Sequence, residues 1–338
     1  RSISAKALAV KRVTENQGRK TPGIDRQTWS TPDEKWQAVQ SLQHKGYKPR
    51  PMRRVYIPKA NGDRRPLGIP TMRDRAMQAL HLLALDPTAE TTGDIHSYGF
   101  RRGRSTADAI EQVRNALGRK HSPQWVLEAD IKGCFDNISH DWLIAHVPMD
   151  KGVLRKWLKA GYFEGNNLFP TESGTPQGGI ISPVLANLAL DGLQDVLAGL
   201  FRTVREARSA KVNFVRYADD FIITGSSREL LENRVKPLVQ DFLRARGLEL
   251  SEKKTLVTHV TDGFDFLGWN VRWQGGMLLT KPSRKNVKNF LAKVRGTLRD
   301  MRTSRQADVI DKLNPVIRGW AGYHRSQMAT RTFAKTDH

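Results

Sequence analysis

Two adjacent acidic residues interrupt a segment that is otherwise typical of a buried strand. In "FVRYADDFIITG" (214–225), Asp219 and Asp220 are flanked by β-branched and aromatic residues, which favour extended and packed backbone. Two like charges repel each other, and burial adds a desolvation cost. Asp is also a common turn residue. The segment therefore predicts either a plain hairpin turn or a hairpin whose carboxylates bind a cation.

A third carboxylate follows an earlier apolar segment. In "WVLEADIKGCF" (125–135), a strand over 125–131 contains Asp130. If this strand lies beside the hairpin, the carboxylates of Asp130, Asp219 and Asp220 meet at one edge of a sheet. Mg²⁺ prefers oxygen ligands of this kind, and two such ions about 4 Å apart promote phosphoryl transfer. The pattern favours a two-metal site, although capping or turn roles remain open for each acid.

The charge of the chain is large and unevenly distributed. Its 56 Lys and Arg residues exceed its 34 Asp and Glu residues, which gives a net charge of +22. Residues 281–338 contain fourteen basic and four acidic side chains, and residues 45–75 contain ten and two. An excess of this size is typical of proteins that bind a polyanion. It suits a nucleic-acid enzyme with an acidic centre, and the alternative is a basic ribosome-associated protein.

The single cysteine and the absence of long apolar runs exclude several classes of protein. Cys134 alone cannot form an intrachain disulfide or a multi-cysteine zinc site. No apolar run approaches the roughly 20 residues that span a bilayer. We therefore expect a cytoplasmic protein that does not bind membranes.

The pattern of apolar residues and turn signals predicts a mixed α+β body followed by a helical tail. We expect hairpins over 53–70 and 264–280, and helices over 1–15, 73–85 and 228–246. The helix over 73–85 is predicted to stop before Pro87, and a later helix to start with Ser182 as its N-cap and Pro183 at its first position. Beyond Pro282, two helical stripes follow, the second broken by Pro315.

Several motifs in one order resemble a known family. "YADDF" (217–221), with "DIKGCF" (130–135) upstream and "TPQGG" (175–179) between them, resembles the palm motifs of reverse transcriptases. The order of "KTPGID", "YIPKANGDRRPLGIP", "SYGFRRGRST", "GTPQGGIISPVLANLALDGL", "VRYADDFIITG", "FDFLGW" and "LNPVIRGWAGYHR" resembles bacterial group II intron-encoded proteins. The resemblance covers nearly the whole chain.

The resemblance implies an α+β right-hand polymerase. Its fingers would lie in residues 1–115, its palm, with an antiparallel sheet, helices and the catalytic carboxylates, in 116–280, and its α-helical thumb or maturase domain in 281–338. The implied activity is that of an RNA-directed DNA polymerase that also acts as a maturase. Such a protein binds intron RNA to assist splicing, and copies it into DNA by target-primed reverse transcription during intron mobility.

The resemblance also implies roles for individual residues. Asp130, Asp219 and Asp220 would be the catalytic carboxylates and the ligands of two Mg²⁺ ions, with Mn²⁺ able to substitute. The nucleotide-binding residues would be Lys59, Arg65, Phe135, Gln177 and Lys254. Among them, the ring of Phe135 would exclude a ribose 2′-hydroxyl, and Lys254 would assist the departure of pyrophosphate, although neighbouring Lys253 is an alternative for that role.

Further residues are implied to contact nucleic acid. The primer and template would meet Tyr217, Phe266, Leu267 and Gly268, the last three forming the primer grip. Exposed cations of the tail would bind intron RNA: Arg284, Lys285, Lys288, Arg318 and Arg325. The implied partners are group II intron RNA, a DNA target and primer, and deoxynucleoside triphosphates.

Other functions stay open at the level of the sequence. One alternative is a reverse transcriptase of another bacterial element, such as a retron, a diversity-generating element or a CRISPR-associated gene. Another is a maturase that only binds RNA and no longer polymerises. A viral-type RNA polymerase is disfavoured by Phe135, whose apolar ring offers a ribose hydroxyl no hydrogen bond.

Overall fold

The computed structural model describes residues 2–58, 62 and 64–337. Its strands are β1 (Met52–Pro58), β2 (Arg64–Ile69), β3 (Trp125–Asp130), β4 (Tyr162–Glu164), β5 (Asn167–Phe169), β6 (Phe214–Tyr217), β7 (Asp220–Gly225), β8 (Leu256–His259), β9 (Phe264–Phe266), β10 (Trp269–Gln274) and β11 (Met277–Pro282). Its helices are α1 (Ile3–Glu15), α2 (Pro32–Ser41), α3 (Met72–Thr92), α4 (Thr106–Leu117), α5 (Cys134–Asn137), α6 (His140–His146), α7 (Lys151–Leu158), α8 (Ser182–Leu190), α9 (Leu193–Ala198), α10 (Val204–Ala210), α11 (Arg228–Leu230), α12 (Lys236–Arg244), α13 (Arg284–Asp300), α14 (Gln306–His324) and α15 (Thr330–Asp337). A 3₁₀ turn (Gln17–Lys20) follows α1, and a π-helical turn (Leu231–Val235) joins α11 to α12.

The first of two compact units comprises residues 1–102, 131–196 and 238–251. Its sheet has the order β2-β1-β4-β5, in which β1 is antiparallel to β2 and parallel to β4. Helices α1 and α3 pack together. Val10 and Val13 of α1 and Leu82 of α3 are buried, because apolar residues at helical spacing form one continuous face.

The second unit comprises residues 103–130, 197–237 and 252–338. Its four-stranded antiparallel sheet has the order β6-β7-β3-β8, and a three-stranded sheet has the order β11-β10-β9. In β7 only Asp220 is exposed, and the five residues from Phe221 to Gly225 are buried. The strand therefore carries an acidic residue at the end of an otherwise apolar core segment.

Most of the predicted elements are confirmed. The chain is α+β, as the resemblance implies, and the helix over 1–15, both hairpins and the helices of the tail are present. No helix in the described part of the chain is long and apolar enough to cross a membrane.

Two predictions based on proline are wrong. Helix α3 continues through Pro87 to Thr92, and α14 continues through Pro315 to His324. Both prolines are exposed, so each ring meets solvent rather than a packed neighbour. An interior proline still costs about 3 kcal/mol, because one hydrogen bond is lost and the ring crowds the carbonyl four residues earlier.

The predicted cap of α8 is also wrong by one residue. Ser182 is the first residue of the helix, and Ile181 before it already has right-handed helical dihedral angles. A proline does lie in the first turn, as predicted.

Candidate active site

The register of the second unit's sheet places two of the predicted carboxylates together. Asp130, the last residue of β3, pairs with Asp220, the first residue of β7. Asp220 also pairs with Tyr217 across the β6–β7 hairpin, which leaves Ala218 and Asp219 as a two-residue turn. The "ADD" segment is therefore a hairpin turn that lies beside Asp130, and the binding of a cation there stays a prediction.

The turn that carries Asp219 has a strained backbone. Ala218 has a φ of +59°, the left-handed conformation that two-residue hairpin turns require and usually assign to Gly, Asn or Asp. An alanine adopts it at a cost of about 1–2 kcal/mol. The fully buried Arg216 stabilises the turn, because its Nη1 donates a hydrogen bond to the Ala218 carbonyl at 3.3 Å. Strain of this kind concentrates at functional sites.

The carboxylates of the hairpin are electrostatically crowded. The pKa of Asp220 is raised to about 6, first because surrounding protein atoms desolvate it and then because Asp219 and Asp130 are negatively charged. Its exposed edge leaves one side open to solvent. The ammonium of Lys254 lies 3.0 Å from Asp130 Oδ2 and opposes this crowding.

The donor chemistry of this edge fits a hard divalent cation. All three predicted ligands offer carboxylate oxygens. The pKa of Asp220 is raised first by desolvation and then by the negative charges of Asp219 and Asp130, and a cation would neutralise those charges. Among the residues described, however, no group of three or more His, Cys, Asp and Glu side chains is arranged to bind a metal ion. The pairing of Asp130 with Asp220 is thus present, and the three-carboxylate ligand set remains a prediction.

The first unit brings two predicted nucleotide-binding residues to one cavity. Phe135 and Gln177 line a cavity of about 480 Å³, together with Asp136 and with Pro66 and Gly68 of β2. The ring of Phe135 packs edge to face against Phe100, with centroids 6.0 Å apart. This cavity is therefore the candidate nucleotide pocket of the first unit.

Close backbone contacts hold the loop that carries Gln177. The Thr175 amide donates to the Phe135 carbonyl at 2.6 Å, and the Gly68 amide donates to the Gln177 carbonyl at 2.8 Å. Gly174 has a φ of +80°, and a Cβ there would lie 2.5 Å from the Phe135 carbonyl oxygen. A side chain at this position would push the loop away from Phe135.

Asp136 belongs to this pocket and was missed by the sequence analysis. The side-chain amide of Gln177 donates to Asp136 Oδ2 at 3.2 Å. The available signal was the position of Asp136 directly after Phe135, but nothing in the sequence shows that the loop 41 residues later returns to it.

The two predicted cations of the first hairpin have different outcomes. Lys59 lies outside the described residues. Arg65 is exposed on β2, where it pairs with Ile57 of β1. Its contact with nucleotide stays a prediction.

The predicted primer grip forms the tight connection between β9 and β10. Phe266 is buried, while Leu267 and Gly268 have φ angles of +50° and +82°. The Leu267 carbonyl accepts a hydrogen bond from the hydroxyl of Tyr323 in α14, at 2.8 Å. The predicted RNA-binding cations of the tail are all exposed: Arg284, Lys285, Lys288, Arg318 and Arg325.

Comparison with known proteins gives the class of the chain. Residues 57–271 match the family model described as "Reverse transcriptase (RNA-dependent DNA polymerase)", and residues 1–42 match the N-terminal domain of reverse transcriptase. The telomerase of Candida albicans shares the fold, with a TM-score of 0.53, 16% identity, and coverage of 81% of this chain and 54% of that one. The chain therefore belongs to the reverse transcriptase family.

Further matches relate the chain to proteins of group II introns. Residues 287–338 match the group II intron maturase-specific domain. The group II intron-encoded protein LtrA of Lactococcus lactis is 32% identical over 331 residues, covering 78% of this chain and 54% of LtrA. Protein YkfC of Escherichia coli is 32% identical over 299 residues, covering 76% of this chain and 77% of YkfC. The chain thus spans about half the length of LtrA.

Proposed function

We propose that this chain is an RNA-directed DNA polymerase of a group II intron that also acts as a maturase. It would bind intron RNA to assist splicing and copy that RNA into DNA by target-primed reverse transcription. The observation that carries the polymerase activity is the pairing of Asp130 with Asp220 beside the strained turn of Asp219. Selection for RNA binding alone gives no physical reason to crowd carboxylates at one sheet edge.

In this function, Asp130, Asp219 and Asp220 would bind two Mg²⁺ ions, or Mn²⁺ in their place. Such ions activate the attacking oxygen and stabilise the leaving oxygen in phosphoryl transfer. Phe135 would face the sugar of the incoming deoxynucleotide, and Gln177, Lys59 and Arg65 would bind the nucleotide. Lys254 would supply positive charge as pyrophosphate leaves. The proposed fingers, palm and thumb are residues 1–115, 116–280 and 281–338.

The polymerase activity is tested by removing the turn carboxylates. We expect the double variant Asp219→Ala, Asp220→Ala to abolish Mg²⁺-dependent extension of a DNA primer on an RNA template, while binding intron RNA as the wild type does. The matched control removes two exposed carboxylates elsewhere, Glu15→Ala and Asp33→Ala, and keeps its extension rate. Persistent extension by the first variant would exclude these residues from the chemistry.

The maturase activity is proposed for the exposed cations of the tail. Phosphate contacts by Lys and Arg release counterions, so each contact adds to the salt dependence of binding. We expect the triple variant Arg284→Gln, Lys285→Gln, Lys288→Gln to reduce the salt slope of intron RNA binding by about 2. A control that neutralises the exposed Arg119, Lys120 and Arg205 should leave the slope unchanged. An unaltered slope in the first variant would exclude that face of α13 from the RNA site.

The proposed partners are group II intron RNA, a DNA target and primer, and deoxynucleoside triphosphates. A protein of the bacterial cytoplasm meets all of them. Assisted splicing is measured as intron release at low Mg²⁺ with and without the protein.

A further inference from the structure

The motif "LNPVIRGWAGYHR" contributes Trp320, Tyr323 and the buried His324 to an aromatic cluster in which Tyr323 stays 39% exposed. It also carries the exposed Arg318 and Arg325. We call Trp269, Phe290, Trp320, Tyr323 and His324 the aromatic joint. Tyr323 stacks on Trp269 with ring centroids 4.5 Å apart, and His324 packs edge to face against Trp269 at 5.1 Å. Trp320 stacks on Phe290 of α13 at 4.2 Å. The joint therefore ties α13 and α14 to the first residue of β10.

Two hydrogen bonds, one from the joint and one from Ser283, reach the backbone just before β10. The Tyr323 hydroxyl donates to the Leu267 carbonyl at 2.8 Å, and the Ser283 amide donates to the Gly268 carbonyl at 2.9 Å. Leu267 has a φ of +50°, which a branched L-residue adopts only when its surroundings hold it there. Contacts from the helical tail supply that restraint.

Asn286 connects the two helices to the same loop. Its Oδ1 accepts hydrogen bonds from Trp320 Nε1 at 2.7 Å and from His324 Nε2 at 3.0 Å. A Cβ at Gly268 would lie 2.9 Å from Asn286 Nδ2, so the loop approaches α13 as closely as a glycine permits. The loop conformation and the seating of both helices are therefore mutually dependent.

Tyr323 also lies within electrostatic range of the catalytic hairpin. The pKa of its hydroxyl is raised, mainly because burial disfavours the charged form. A hydrogen bond with Thr106 opposes that rise, and Tyr217 of the "YADD" segment adds to it. The Tyr323 side chain thus contacts the loop 267–268 and interacts electrostatically with Tyr217.

We infer that Tyr323 is a positioning residue for the primer: its hydrogen bond to Leu267 holds the loop 266–268 in the conformation that receives the primer's 3′ end. The inference rests on the proposed function and deepens it, because it assigns one side chain of the maturase-specific region to holding the primer-grip loop. The cations of that region remain free for RNA, so one helix pair serves both activities.

The test compares Tyr323→Phe, which keeps the ring stacking and removes only the hydroxyl, with Thr297→Val. Thr297 lies in α13, where its exposed hydroxyl donates to the Lys293 carbonyl, so this control loses a hydroxyl bond of the same tail away from the loop. Two quantities are measured on the full chain: KM for a primer–template duplex against kcat, and amide hydrogen exchange of residues 266–269.

For Tyr323→Phe we expect the primer KM to rise about three- to tenfold, the loss expected for one hydrogen bond, with kcat within twofold of wild type. Amide exchange of 266–269 should accelerate in this variant and not in Thr297→Val. An unchanged KM, a loss confined to kcat, or equal effects in both variants would overturn the inference. If the wild-type protein extended no primer, the proposed function itself would be contradicted, and with it the primer role of Tyr323. The hydrogen-exchange measurement needs no activity, so it distinguishes that failure from a failure of the contact between Tyr323 and the loop.

Discussion

The ammonium of Lys254 lies 3.0 Å from the carboxylate of Asp130. The same carboxylate belongs to the residue that pairs with Asp220 across the sheet. A protein cation therefore already contacts the edge at which the divalent ions are proposed to bind. The ammonium of Lys254 and a divalent cation are both positive and compete for the same carboxylate. Lys254 should therefore weaken the binding of those ions to the free protein.

We expect Lys254→Met to tighten the binding of Mn²⁺ to the free protein by about two- to fivefold, since the neighbouring positive charge is removed and solvent screens part of the effect. Loss of the free Mn²⁺ signal in electron paramagnetic resonance titrations measures this affinity. Lys253→Met is the matched control, and its affinity should stay at the wild-type value. Equal or weaker binding in Lys254→Met would contradict competition at Asp130.

Phe135 is expected to decide the choice of sugar. Phe135→Ala opens the wall of the candidate nucleotide pocket, so discrimination against ribonucleotides should fall by about tenfold or more. The measurement is the ratio of kcat/KM for a deoxynucleotide to that for the matching ribonucleotide. The control Phe163→Ala truncates a half-buried ring of β4 and should leave the ratio unchanged. An unchanged ratio in Phe135→Ala would show that Phe135 does not exclude ribonucleotides.

Sequence reasoning succeeded where a local pattern determines the structure. The hairpin at 217–220 follows from apolar residues around a polar pair, and the helices of the tail follow from apolar residues at helical spacing. It failed at Pro87 and Pro315, because a local rule on proline ignores which face of the helix is exposed. It also placed the cap of α8 one residue late.

Other features depend on contacts between distant segments and could not be read from spacing. The register of β3 on β7 places Asp130 opposite Asp220, 90 positions later, and the sequence pattern offered this pairing only as a condition for a metal site. Two hydrogen bonds, from Gln177 to Asp136 and from Tyr323 to Leu267, join segments that are far apart in the sequence. No motif in the sequence links the two partners of either bond. These contacts were found only once the backbone was known.

Asp136 and Gln177 are expected to act as a pair. If Asp136 orients the amide of Gln177 in the cavity, Asp136→Ala and Gln177→Ala should each raise the KM for deoxynucleotide, and the double variant should be no worse than about the poorer single one. The coupling energy from the double-mutant cycle should lie at about 0.5–3 kcal/mol, the range of residues in direct contact. The same cycle with Asp141→Ala, an exposed carboxylate of α6, should give additive effects. If the effects of Asp136→Ala and Gln177→Ala on KM were additive, the two side chains would act independently and the prediction would be contradicted.

His324 should make the stability of the protein depend on pH. It is fully buried, its ring contacts Trp269, Trp320 and Tyr323, and desolvation lowers its pKa from 6.5 to about 4. The unfolded chain therefore binds a proton between these values that the folded chain does not. The resulting stabilisation is complete above pH 6.5 and is lost as the pH falls towards 4, by roughly 3 kcal/mol at most.

The variant His324→Gln keeps a donor for Asn286 and cannot titrate in this range. We expect urea unfolding at pH 7 and pH 4.5 to show a larger loss of stability in the wild type than in His324→Gln. His121→Gln, which removes an exposed histidine elsewhere, is the matched control and should follow the wild type. If His324→Gln lost as much stability on acidification as the wild type, protonation of His324 would not be the cause of the pH dependence.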